Sequence, residues 1–246
     1  MRALILTAGR GQRMRPLTDT CPKPLLELAG KPIVQYQIEA LREAGITELV
    51  INLGWQGPRI VEALGDGARL GVRIVYSPEP QDAWETGGAI ATALPLLRDA
   101  RDTPFAVISG DIHTDFDYAR LHAAAERIVA GRPSVRAHFV LTDNPDHHPD
   151  GDMALDAEGW VRRDGARLNY GNIGVFDPRL FDGTPARQAW KLFPWMYAWV
   201  DAGQVSGEHF RGRWINIGTP GQLAALDAEL RASGNATSIA RSAAPD

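Results

Sequence analysis

The segment Ala8-Gly9-Arg10-Gly11 ends an apolar run, Ala3–Leu6, and is followed closely by Arg13, Arg15 and Lys23. Glycines let backbone come near a bulky anion and turn N–H donors toward it. Pro16, Pro22 and Pro24 forbid an ordinary helix among the cations. Backbone donors followed by a stiff cationic loop suit a polyphosphate. A Gly-x-Gly alone is most often a plain surface turn; here the glycines, cations and prolines occur together, which favours phosphate binding. A second group, Ser109-Gly110-Asp111, follows the apolar run Phe105–Ser109, so Asp111 is presented where a buried strand ends. An acidic residue there suits Mg²⁺, a hard ion that takes one or two carboxylates plus phosphate oxygens. The plainer reading of Asp111 is a turn or helix cap, and the cationic loop tips the balance toward the metal.

Two common phosphate loops are excluded. No Gly-Lys-Ser/Thr follows the glycines, so this is not a P-loop. A dinucleotide fingerprint needs a glycine where Met14 stands and an acidic residue after the second strand, where the chain has Asn52. Further along, Glu85-Thr86-Gly87-Gly88 opens a helical pattern. Thr86 suits a helix cap there, and the paired glycines with the free helix N-terminus also allow a nucleoside or phosphate to come close. His147 and His148 invite a zinc reading, but the only cysteine, Cys21, lies far away in sequence and no further ligands sit at zinc spacing.

The elements that must position these groups alternate. Strands are expected over Ala3–Leu6, Glu48–Asn52, Val72–Tyr76, Phe105–Ser109 and Arg136–Leu141. Helices are expected over Ile33–Ala44, Gln56–Leu64, Gly88–Leu97 and Tyr118–Ala130. This spacing predicts an α/β fold, a Rossmann-like, mostly parallel sheet with helices on both faces. Ligands in such sheets sit beyond the carboxyl ends of the strands, where Gly9, Asn52, Ser77 and Asp111 fall. Residues 144–171 turn polar and read as a small β-rich, hairpin-like insertion, with a strand at Trp160–Arg163; Asn172–Phe176 rejoins the main sheet. Lys191–Asp201 reads as a helix whose Trp195, Met196 and Trp199 pack inward. Gly207–Phe210 and Arg213–Ile217 read as short strands and Pro220–Leu230 as a closing helix. The pattern gives one domain over 1–232 and a disordered tail over 233–246.

The run Leu6–Leu25 resembles the nucleotidyltransferase family that makes nucleotide sugars from sugar 1-phosphates. That family opens Leu-Ala-x-Gly-x-Gly-x-Arg-Met-x-Pro-Leu-Thr, followed by Pro-Lys-Pro-Leu; Thr7 stands where it usually has alanine. The resemblance implies the family's nucleotide-diphospho-sugar transferase fold. It places Ala8, Gly9, Gly11, Arg13, Lys23, Glu85, Gly87 and Gly88 around the nucleotide, and Asp111, Asn169 and Asn172 near the sugar. Arg13 then serves the β- and γ-phosphates and Lys23 the α-phosphate; Arg15 is either a site cation or a surface charge. Nucleotidyl transfer needs little covalent help, because positioning and charge neutralisation lower the barrier. Arg13, Lys23 and Asp111 are accordingly the expected catalytic residues and Mg²⁺ the expected cofactor.

Trp214-Ile215-Asn216-Ile217-Gly218-Thr219-Pro220 resembles the family motif Trp-x-Asp-x-Gly-Thr-Pro, whose aspartate is a second metal carboxylate. Asn216 offers only a neutral carbonyl oxygen in its place. Asp143-Asn144-Pro145-Asp146-His147-His148, Gly151-Asp152 and Val205–Gly212 resemble one branch of the family, the uridylyltransferases acting on N-acetylmuramate 1-phosphate. That implies UTP and a sugar 1-phosphate as partners, with Arg211, Arg213, His147 and Asn169 available for the lactyl carboxylate. The alternatives are another pairing, such as GTP with mannose 1-phosphate, or a noncatalytic nucleotide-sugar sensor.

Composition agrees. The 246 residues are 44% hydrophobic and 23% charged, enough for a substantial core. A net charge of -4 gives no general affinity for nucleic acid or an anionic membrane. No leader or membrane-length apolar run is read, and a lone cysteine fits a reducing compartment, so a cytoplasmic monomer or small homo-oligomer is expected.

Overall fold

The computed structural model describes residues 1–242. β1 (Arg2–Leu6) runs into the glycine loop; two short turns, Gln12–Met14 and Lys23–Leu25, carry Arg13 and Lys23, with α1 (Leu17–Thr20) between them and the ribbon β2 (Glu27–Leu28) and β3 (Lys31–Pro32) after them. Then follow α2 (Ile33–Glu43), β4 (Glu48–Leu53), α3 (Gly57–Leu64), β5 (Arg73–Pro78), α4 (Glu85–Leu97), β6 (Phe105–Ser109), β7 (Ile112–Thr114), α5 (Arg120–Ala130) and β8 (Ala137–Thr142). The second half holds β9 (Met153–Leu155), β10 (Val161–Arg162), β11 (Arg167–Phe176), α6 (Leu192–Trp195), α7 (Tyr197–Asp201), β12 (Val205–Phe210), β13 (Trp214–Asn216) and α8 (Pro220–Ser242).

β1 is central. It pairs in parallel with β4 on one side and β6 on the other, and β5 extends the sheet beyond β4. Beyond β6 comes β11, antiparallel to it, and then β8, with β12 parallel to β8. The mostly parallel sheet expected from sequence is therefore present, with β11 as the strand that runs against its neighbours. Two-residue alternation explains why helices cover both faces. Ala3, Ile5, Ile51 and Ile108 join the side chains of α2, α3 and α5 in one core, while Leu4, Val50, Phe105 and Val107 join α4, α6 and α7 in the other. Trp195, Met196 and Trp199 belong to this second core, as packing residues.

Four boundaries differ from the expectation. α4 begins at Glu85, three residues before Gly88, so the glycine pair lies inside its first turn. The helix expected over Lys191–Asp201 divides, because Phe193 is extended (φ -103°, ψ 135°) ahead of Pro194, and a residue before proline is pushed out of the helical region. The insertion is not a free hairpin: β9 and β10 pair at its rim, and β11 runs unbroken from it into the main sheet. Finally, α8 continues through Ser242 where disorder was expected from residue 233; no proline interrupts it, and extending a formed helix costs little per residue. The remainder of the expected tail, 243–246, lies outside the described residues. Among the described residues no helix is long and apolar enough to cross a membrane.

Candidate active site

A cavity of about 550 Å³ opens at the carboxyl ends of β1, β4 and β6. Its rim is the glycine loop: Ala8, Gly9, Gly11 and Arg13 line it, with Lys23 behind them and Asp111 opposite. Gly11 adopts φ +63°, a backbone conformation that disfavours side chains, and a Cβ there would crowd Thr18 and Lys23 at 3.1–3.2 Å. The glycine thus lets Lys23 fold under the loop. Lys23 is buried to 8% exposure, and its Nζ lies 2.5 Å from Asp111 Oδ2. Arg13 is exposed, with no carboxylate partner among the described residues, and its guanidinium packs over Gly218, whose added Cβ would sit 3.5 Å from the nearest nitrogen. The turn after β13 therefore aims Arg13. Arg15 pairs with Asp19 at 2.7 Å on the surface and does not line the cavity, which settles it as a surface charge. Arg10 stacks on Trp55, 4.3 Å from the ring centroid.

A polar chain crosses beneath the loop. The Thr7 N–H donates to Asn52 Oδ1 (2.6 Å), the Thr7 hydroxyl donates to the Asn52 carbonyl, and Asn52 Nδ2 donates to Glu79 Oε1 (2.8 Å). Glu79 Oε2 accepts the Trp84 N–H at 2.9 Å, tying the end of β1 to the 79–85 loop on the far side of the cavity. Burial holds the Glu79 carboxyl above the usual carboxylate range, against the pull of the Trp84 N–H and the Asn52 amide. Asn52, expected at the ligand-binding edge of the sheet and as the residue that breaks a dinucleotide fingerprint, is thus the joint between the two loops. Ser77, also expected at the strand ends, is buried and does not reach the cavity.

Glu85 lines the cavity at φ +56°, and Thr86 lines it too without capping α4, since no side-chain cap bond forms at that helix start. Gly87 and Gly88 do not line it. Both are buried, and their N–H groups donate to the Trp190 carbonyl at 3.1 and 3.2 Å, so the helix N-terminus expected to meet a nucleotide is already occupied by the chain itself. Asn172 lines a second, adjoining cavity of about 230 Å³ that shares Leu6, Glu85, Thr86 and Ser109 with the first. Asn169 lines neither: it is 7% exposed and its amide donates to Thr142 Oγ1 and the Tyr170 carbonyl, as an interior residue of β11.

β13 pairs with β7, so Asn216 stands opposite Ile112, and the Ile217 N–H donates to the Asp111 carbonyl at 2.9 Å. Asn216 Oδ1 is buried and has no hydrogen-bond partner among the described residues. An acceptor left without a donor one residue from Asp111 suits a cation. His147, offered for the lactyl carboxylate, lines neither cavity, and two other histidines are engaged with carboxylates: His148 bonds Asp152 at 3.1 Å and His209 bonds Asp143 at 2.8 Å. Arg213 pairs with Glu229 at 2.7 Å, and Arg211 Nε donates to His209 Nδ1 at 3.4 Å. Among the described residues no cluster of three or more His, Cys, Asp or Glu forms a metal cage.

Residues 2–231 match the family described as Nucleotidyl transferase. An N-acetylmuramate alpha-1-phosphate uridylyltransferase from Neisseria meningitidis serogroup B is 45% identical over 223 residues, which cover 89% of this chain and 94% of that protein. A mannose-1-phosphate guanyltransferase from Schizosaccharomyces pombe is 31% identical over 233 residues, 89% of this chain but 61% of its own longer one. Among solved structures, a glucose-1-phosphate thymidylyltransferase from Bacillus anthracis superposes with a TM-score of 0.78 at 20% identity, covering 94% of this chain and 95% of that one. HddC from Yersinia pseudotuberculosis follows at 0.73 and 18%, covering 93% and 99%, and both likenesses confirm the fold. The family match spans the loop, the polar chain and the β7–β13 pair alike; the chain belongs to the nucleotidyl transferase family and is a sugar-1-phosphate nucleotidyltransferase.

Proposed function

We propose that the chain transfers a uridylyl group from UTP to N-acetylmuramic acid 1-phosphate, giving UDP-N-acetylmuramate and pyrophosphate. The observation that carries this is the cavity itself, with backbone donors and Arg13 on one rim, Lys23 against Asp111 on the floor, and a second cavity continuing from it. Likeness supports the choice of substrates: the uridylyltransferase relative is matched over nearly its whole length, the guanyltransferase over 61%.

In this reading the Gly9–Gly11 backbone and Arg13 bind the β- and γ-phosphates, where charge builds as pyrophosphate leaves. Lys23 sits at the α-phosphate, and an oxygen of the sugar phosphate attacks the α-phosphorus in line with the departing pyrophosphate. Asp111 and Asn216 would hold Mg²⁺, and the unpartnered Asn216 Oδ1 fits that duty. When bound there, the ion would neutralise charge on the phosphates. Everything else is positioning: the Thr7–Asn52–Glu79 chain fixes the spacing of the two loops that enclose the nucleotide.

Pyrophosphate release from each nucleoside triphosphate, paired with each sugar 1-phosphate, tests the reading. UTP with N-acetylmuramic acid 1-phosphate is the expected best pair. A preference for GTP with mannose 1-phosphate would replace the substrates, and no release with any pair would favour a sensor.

A further inference from the structure

The segment before α6 is held in place by an unusual seat. The Trp190 carbonyl accepts both Gly87 and Gly88 N–H groups, the Trp190 N–H donates to the Trp84 carbonyl at 3.2 Å, and its indole Nε1 donates to the Pro185 carbonyl at 2.9 Å. A Cβ on Gly87 would fall 2.2 Å from the Trp190 ring, and one on Gly88 would fall 1.9 Å from the Gln188 carbonyl oxygen. Only glycines let this segment lie against the first turn of α4. The next residue is Lys191, extended at φ -84°, ψ 136°, and after it Leu192 is buried in the core. Lys191 is therefore fixed on both sides at its backbone, while its side chain remains exposed.

That side chain lines the second cavity. The walls there are largely apolar, from Leu6, Val107, Tyr170 and Phe193, with Asn172 as a neutral polar group and Glu85, shared with the main cavity, as the carboxylate. Lys191 is the cation of this lining, and among the described residues it makes no ion pair. The cavity joins the main one through Ser109, beside Asp111, so it continues from the point where the acceptor's phosphate must lie. With Glu85 at the edge shared with the main cavity and Lys191 among the residues that line only the second, an anionic sugar substituent has Lys191 as its one cationic partner there, and a charge-assisted contact is stronger where water is partly excluded. The cations that the sequence offered for this duty, Arg211 and Arg213, are engaged elsewhere and line neither cavity.

We propose that Lys191 sets acceptor specificity by receiving the carboxylate of an acidic sugar 1-phosphate in this second cavity. The proposal rests on the reading above, in which that acceptor is N-acetylmuramic acid 1-phosphate with its lactyl carboxylate. The test compares kcat/KM for that sugar with kcat/KM for N-acetylglucosamine 1-phosphate, which lacks the lactyl ether, both with UTP. Wild type, Lys191→Met and Lys191→Arg are measured, with thermal unfolding as the check on folding. In Lys191→Met the acidic-to-neutral ratio should fall at least about tenfold through KM for the acidic sugar, with KM for UTP unmoved. Lys191→Arg should retain most of the ratio. A wild type that prefers the acidic sugar, together with a Met variant of unchanged ratio, overturns the role of Lys191 and leaves the uridylyl reading standing. A wild type with no preference for the acidic sugar overturns both.

Discussion

Lys23 Nζ lies 2.5 Å from Asp111 Oδ2, so the cation proposed for the α-phosphate and the carboxylate proposed for the metal neutralise each other. With Lys23 side-chain exposure at 10% and Asp111 at 30%, the pair is poorly screened. A metal arriving alone must compete with an ammonium, and a phosphate arriving alone must compete with a carboxylate. When both arrive, each takes one half of the pair and gains a partner. Metal and nucleotide should therefore bind together. Calorimetry should find no tight Mg²⁺ site without UTP, while turnover should depend on the metal. Lys23→Met should bind Mg²⁺ alone more tightly than wild type while losing at least about 100-fold in turnover. If Mg²⁺ binding without nucleotide is the same in both proteins, the pair does not gate the metal.

Arg13 carries its charge on the cavity rim, with no carboxylate partner among the described residues, and its guanidinium packs against Gly218. Among the described residues its removal breaks no ion pair and no contact of the buried cores. Arg13→Ala should lower turnover by at least about two orders of magnitude, the loss expected for one charged transition-state contact. Its thermal midpoint and circular dichroism should match wild type. Wild-type turnover in this variant would remove Arg13 from the mechanism.

Asn216 presents a buried oxygen with no donor, next to the strand that follows Asp111. A carboxylate in the same place adds charge to a cation site. Asn216→Asp should stay active and should need less Mg²⁺ for half-maximal rate, whereas Asp111→Asn should nearly abolish activity. An unchanged Mg²⁺ requirement in Asn216→Asp would mean that this side chain does not face the metal.

Glu79 has its carboxyl held above the ordinary range, with burial as the main cause. The sign follows from linkage. Between the unfolded and folded values the folded chain keeps a proton that the unfolded chain has lost, so stability falls as pH rises through that window. The part contributed by Glu79 is present below the unfolded carboxylate value and is lost as pH climbs through the folded one. Thermal midpoints measured from acid to neutral pH should show a steeper loss with rising pH in wild type than in Glu79→Gln. Parallel curves would mean that Glu79 titrates alike in both states.

Legibility in the sequence followed the range of the interactions. β1, β4 and β6 announce themselves as apolar runs because each is buried on both faces, and the glycine loop is recognisable because its cations and prolines are adjacent along the chain. What escaped depends on contacts between distant segments. Gly87 and Gly88 look open to a ligand until Trp190 is seen to fill the space, about a hundred residues later in the chain. Lys191 gives no local signal, being one lysine before a buried leucine. Asn169 has the right chemistry for a sugar contact, yet its strand turns it inward. Asn52 and Glu79 meet because β4 and β5 end side by side, a register that no single segment encodes.

β11 holds one further consequence, a matter of parity. Tyr170 stands opposite Leu141 and Ile173 opposite Val140, so Gly171 and Asn172 are two surplus residues with no partners on β8. Side chains on a strand alternate with a period of two, and an even surplus leaves every later residue on its proper side. Removing both would keep Ile173, Val175 and Phe176 facing the cores they now fill. Removing one would turn them all over, placing Ile173 and Val175 where Phe176 belongs and exchanging the inventories of the two cores at once. Length changes at this bulge are expected to be tolerated best in steps of two. A family of such chains should vary in length here only by even numbers, whatever sugar each member accepts.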